Sequence, residues 1–141
     1  MTDKPADGPD LQAILAEEIK LLPRISLGAL FMPAIWGPAH GYWVTILFYP
    51  IWLFADNCFI SAYLYGGLAI PLAIATGIGT AAVTIGFALT AGPHAWMRVA
   101  SRIRLDRYLK REKIWAVASA LIALAFFAFA TWYNLAYRLV A

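Results

Sequence analysis

Residues 28–43 read GALFMPAIWGPAHGYW, a run apolar enough for lipid but broken at Pro33 and Gly37–Pro38, and carrying His40. It is either a short segment that enters a membrane without crossing it, or part of a full span over residues 25–47. The flanking sequence bears on that choice. From Ile25 to Met97 the only formal charge is Asp56, and Ile114–Tyr137 has none. Hydrophobic residues make up 62% of the 141-residue chain and charged residues 13%, with mean hydropathy +0.70. Soluble domains are about half apolar and about a quarter charged, and so small a body could not bury this much apolar surface. The chain is therefore expected to be an all-α integral membrane protein. Its runs are continuously apolar, without the alternation of a transmembrane barrel.

Residues 1–24 read as a polar tail followed by a short surface helix. Residues 1–10 hold Pro5, Gly8 and Pro9 and suit disorder, while Asp10 suits a helix cap. Leu11, Ile14, Leu15, Ile19 and Leu22 would share one helix face, interrupted by Glu18, which could lie on the membrane or pack on the basic segment. The acidic residues of this region argue against a cleavable signal peptide.

The region of residues 25–97, with Asp56 as its single formal charge, is 73 residues long, whereas one span needs about 20. The expected division is a dipping segment at 26–38, helices at about 41–60 and 64–91, a basic cytoplasmic linker at 98–113 and a last helix at 114–137. That gives three transmembrane helices plus a short re-entrant segment; the alternative is four. The second helix should tilt or kink near Pro71. Its Ala69, Ala73, Gly77 and Ala81 recur every four residues, a spacing that lets helices approach closely in lipid, within the chain or between copies.

The linker carries Arg98, Arg102, Arg104, Arg107, Lys110, Arg111 and Lys113 against Asp106 and Glu112. Basic excess beside spans marks the cytoplasmic side, so three crossings place the N-terminus inside and the C-terminus, with Arg138, outside. The same residues are candidate contacts for anionic lipid headgroups. Leu105, Tyr108 and Leu109 would give a helix here a narrow apolar edge lying against lipid, with Asp106 and Lys110 paired at i,i+4. The pI near 9.2 comes from this cluster and does not indicate nucleic-acid binding.

Three polar residues are candidates for function. Ionisable groups within a membrane are functional candidates by default. His40 could serve in a proton relay or bind a ligand, or could donate to a carbonyl freed by the Gly37–Pro38 break. Asp56 could be a protonatable group in a transport path or an interfacial residue that caps or turns the chain. His94, in AGPHAW, lies at the interface. Two histidines raise the possibility of a haem, but there is no C-x-x-C-H site or evident facing pair, and no cofactor is expected. No paired metal-ligand spacing, catalytic triad or nucleophile motif is present, and Cys58 has no base nearby in sequence.

Gly28-Ala29, Pro33, Ile35-Trp36-Gly37, His40-Gly41 and Trp43 together resemble the opening motif of a widespread group of small bacterial membrane proteins of unknown function. Gly92, Ala95 and Trp96, then Asp106, Tyr108, Glu112, Trp115 and Ala116, resemble that group's second motif. The chain departs from it in being longer between the motifs and in having Pro93 where Asn is usual. The resemblance implies a dipping first segment, a cytoplasmic linker and a bacterial inner-membrane location, and it implies no activity.

The expected function is thus a non-enzymatic structural, accessory or lipid-surface module, with the bilayer, anionic headgroups and a homo-oligomeric or membrane-complex partner as its contacts. A small oligomeric transporter or channel subunit using His40 and Asp56 is the alternative, and a membrane enzyme the third.

Overall fold

Long runs without charge leave the backbone no water to bond, so each must satisfy its own N–H and C=O groups as helix. The computed structural model describes the backbone of residues 9–140 and the side chains of residues 10–137, and among these there is no strand. The elements are α1 (Pro9–Lys20), α2 (Leu27–Phe31), α3 (Pro33–Ala39), a 3-10 turn (Trp43–Leu47), α4 (Phe48–Tyr65), α5 (Ala69–Val99) and α6 (Leu105–Val140). Three stretches are long and apolar enough to span a membrane: Trp43–Tyr65, Ala69–Val99 and Leu105–Tyr137. The protein is all-α and multi-pass. Of the tail expected over residues 1–10, residues 1–8 lie outside the described residues, as does the side chain of Arg138, and residues 9–10 already belong to α1.

Residues 27–39 form two short helices instead of a span. Pro33 has no N–H and disfavours helical geometry in the residue before it, so Met32 adopts φ −148° and ψ 69° and the chain bends between α2 and α3. The α2 turn lies between α5 and α6 and packs on both. One core cluster gathers Leu22, Ala29, Trp36, Ala88, Ala91, Ala95, Trp96, Ala100 and Tyr108; a smaller one joins Met32, Trp52 and Ala123. Leu15 and Ile19 of α1 pack against the first cluster, favouring packing at the basic end over the membrane-surface alternative.

Several boundaries differ from expectation, each for a local reason. The break between α4 and α5 falls at Gly66–Gly67, where φ is 62° and 57°. Glycine takes those values without a Cβ clash, so α5 starts at Ala69 and Pro71 sits in its first turn. No intrahelical partner is due there, and Pro71 therefore need not kink the helix. At the other end α5 runs through Pro93 to Val99, held by the buried Ala91, Gly92, Ala95 and Trp96. The expected linker at 98–113 shrinks to residues 100–104, because α6 begins at Leu105. Its apolar edge turns inward, not toward lipid: Tyr108 is buried, rings with Trp96 at 5.1 Å and donates to the Gly92 carbonyl at 3.4 Å. Asp106 pairs with Arg104 at 3.2 Å instead of with Lys110. Of the small-residue series, Ala73 is buried and Gly77 leaves room for the Phe59 ring of α4, while Ala81 stays exposed.

Candidate functional site

Two polar clusters tie the helices together. The first centres on Glu112, about two turns into the basic start of α6. Its Oε2 accepts from Trp36 Nε1 at 3.3 Å and from Ser26 Oγ at 3.2 Å, and its Oε1 lies 3.0 Å from His40 Nε2. Ser26 is also the N-cap of α2, accepting the Ala29 N–H, and its own N–H donates to the Ala88 carbonyl of α5. One carboxylate thereby ties the bent segment to α6.

Local structure aims each donor. His40 is the C-cap of α3, which turns its ring back over Trp36: the ring centroids are 3.9 Å apart and the planes 16° from parallel. His40 Nδ1 faces the Trp36 carbonyl at 2.7 Å. A carbonyl only accepts, so Nδ1 carries a hydrogen; Nε2 then meets Glu112 Oε1, and that contact needs a second proton on the imidazole–carboxylate pair. The side chains of His40 and Glu112 are 11% and 14% exposed, which puts the pair largely out of solvent. Two glycines make this geometry fit. A Cβ on Gly28 would lie 2.4 Å from Trp36 Cδ1, and one on Gly37 would lie 1.8 Å from Thr45 Oγ1. Arg98 closes the outer side, donating to the Gly41 carbonyl at 3.1 Å and lying 4.3 Å from the Tyr42 ring centre. Beside the cluster a groove of about 470 Å³ is bounded by Leu22, Ile25, Ser26, Tyr108, Glu112 and Lys113.

The second cluster centres on Asp56, halfway along α4 and buried. Oδ1 accepts from Thr131 Oγ1 at 3.2 Å and Oδ2 from Asn134 Nδ2 at 2.8 Å, both on α6. Asp56 is nine residues before Tyr65, or about 13 Å along the axis, so it joins helices within the span and does not cap or turn the chain. Nearby, Trp52 Nε1 donates to Thr84 Oγ1 at 3.1 Å, linking α4 to α5.

Of the residues singled out from sequence, His40 meets the Trp36 carbonyl, which also accepts the His40 backbone N–H at 3.2 Å and so is not one freed by the Gly37–Pro38 break; Glu112 is its other partner. His94 is exposed on α5, with Nδ1 2.7 Å from the Thr90 carbonyl, and has no part in either cluster. His40 and Asp56 belong to separate clusters: their α6 partners Glu112 and Thr131 are 19 residues apart, about 29 Å along the helix. The seven basic residues at 98–113 are all exposed. Among the described residues no three His, Cys, Asp or Glu side chains gather where a metal ion could sit. Sequence reasoning placed Glu112 in the second motif and counted it against the basic charge, but did not see it as the partner of His40, Trp36 and Ser26. Its signal was the helical spacing Tyr108, Glu112, Trp115, Ser119, which puts the acid on the face of α6 that holds aromatic and small residues. Thr131 and Asn134, three apart in a charge-free run, were missed in the same way.

Compared with protein-family models, with curated proteins and with solved structures, the chain matches none.

Proposed function

We propose that this is a lipid-surface and accessory module of the bacterial cytoplasmic membrane, and not an enzyme. The segment 27–39 enters the bilayer from the cytoplasmic side as a re-entrant element, the N-terminus lies on that side and the C-terminus on the other. The observation that carries the reading is the charge at the α5–α6 turn. Seven basic side chains there are exposed, while Glu112, one of the two acids among them, is turned inward. The outward face is thus more basic than the sequence balance implies, and it borders the apolar groove beside Ser26 and Tyr108. Such a face attracts anionic headgroups at about 1 kcal/mol per residue, or roughly fivefold in affinity for each. The transport reading is weaker, because the α6 partners of His40 and Asp56 lie 19 residues apart, about 29 Å along the helix.

Mass-spectrometric counting of lipids retained on the purified protein tests this. The native chain should retain anionic over zwitterionic lipid, and Gln at Arg102, Arg107, Lys110 and Arg111 together should abolish the preference. Equal retention of both lipid classes by the native chain would contradict the proposal.

A further inference from the structure

A cleft of about 500 Å³ lies between α4, α5 and α6, and Asp56 is in its wall. Trp52, Phe59 and Phe127 supply aromatic surface, and Thr80 and Thr84 supply hydroxyls. Trp52 and Phe127 stack at 5.2 Å with planes 25° apart, which gives the wall a flat aromatic panel. The cleft opens sideways toward lipid: Phe59 is 51% and Ile85 44% exposed, and Ala81 is exposed as well. The volume is within the range of small-molecule sites, about 300–1,000 Å³.

The charge of this site is unbalanced. Asp56 is the only formal charge between Ile25 and Met97, and Ile114–Tyr137 has none. Among the described residues its partners are a hydroxyl and an amide, both neutral donors, and none of the ion pairs includes it. Buried charges in proteins are normally paired, and one held only by neutral donors attracts a cation that can shed its own water. Aromatic faces attract the same kind of ion through their quadrupoles. Small inorganic cations fit poorly, since they need a shell of oxygen ligands where this wall is mostly apolar.

We propose that the cleft is a binding site for lipophilic cations, an ammonium or phosphonium centre with an aromatic or branched apolar body, entering from the bilayer. The cationic centre lies against Asp56 and the apolar body against Trp52, Phe59 and Phe127. This site is independent of the basic end and of the lipid-surface proposal.

The test uses the purified full chain in detergent with tetraphenylphosphonium and its isosteric anion tetraphenylborate, binding being followed by calorimetry. The cation should bind and the anion should bind at least tenfold more weakly. Asp56→Asn keeps a side-chain oxygen for Thr131 and removes the charge; it should lower affinity for the cation at least tenfold. Ala81→Phe fills the open side of the cleft without touching Asp56 or its partners, and it too should abolish binding. Shielding of the buried Cys58 from a thiol reagent reports that each variant is folded. No binding to the native chain, equal binding of cation and anion, or unchanged binding in folded Asp56→Asn or Ala81→Phe would each overturn the proposal.

Discussion

Replacing Glu112 separates the two jobs its carboxylate could do. Glu112→Ala removes the acceptor for Trp36 Nε1, Ser26 Oγ and His40 Nε2 together. Each buried donor left without a partner costs about 1–3 kcal/mol, and breaking a buried ion pair costs about 3–5 kcal/mol. These overlap at the His40 contact, which both figures count, and a total loss of about 3–5 kcal/mol is expected. Glu112→Gln is a different perturbation. Its amide oxygen still accepts from Trp36 and Ser26, and its NH₂ donates to His40 Nε2, which becomes an acceptor once Nδ1 holds the ring's hydrogen against the Trp36 carbonyl. Every donor keeps a partner, and the cost should stay below about 1 kcal/mol. Cys58 supplies the assay: it is the single cysteine, buried in α4, so a thiol-reactive dye should report unfolding in a graded detergent titration. A loss under about 1 kcal/mol for Glu112→Ala would refute the argument that this carboxylate joins α2 and α3 to α6. So would a glutamine variant as damaged as the alanine one.

Gly37→Ala places a Cβ on Thr45 Oγ1 and should destabilise by about 1–3 kcal/mol in the same titration. Ser119 Oγ is buried with no partner among the described residues, so Ser119→Ala should leave stability unchanged or raise it by about 1 kcal/mol; a clear loss would indicate a partner. Trp52→Phe removes the bond to Thr84 but retains an aromatic ring, and a loss of about 1 kcal/mol is expected beyond the change in packing. Arg98→Gln should loosen the Gly41 turn, seen as faster proteolysis or hydrogen exchange over residues 40–47, with the thiol of Cys58 still shielded.

The helical class and the three crossings were legible because charge-free runs leave few other folds, and Pro33 announced the bend in the opening segment, while the Gly66–Gly67 break fell inside the helix expected over 64–91. Boundaries failed where tertiary packing overrode local signals. The helix expected to end near residue 91 runs on through Pro93, because the small and aromatic residues around it bury themselves well enough to carry it to Val99. The basic segment suggested a linker, but Tyr108 needed a partner and found Trp96, which drew the whole segment into α6. His40 and its contact to a backbone carbonyl followed from sequence, although the Trp36 carbonyl keeps its helical donor and is not one freed by the break. The carboxylate partner of His40 did not, since Glu112 is 72 residues away and sits among basic neighbours that made it look like a surface charge. For Asp56 the capping alternative fails for a related reason: its position along the chain suggested a boundary, while the donors that hold it in the span lie 75 and 78 residues away.

The sidedness of the chain tests the account most directly. Single cysteines at Ala13, Gly67 and Arg102, in a background with Cys58 replaced by serine, can be labelled with a membrane-impermeant thiol reagent from either face of sealed vesicles. With residues 27–39 bent back and α4, α5 and α6 crossing, positions 13 and 102 should react from one face and position 67 from the other. Labelling of position 13 from the same face as position 67 would make the opening segment a fourth span and contradict the account.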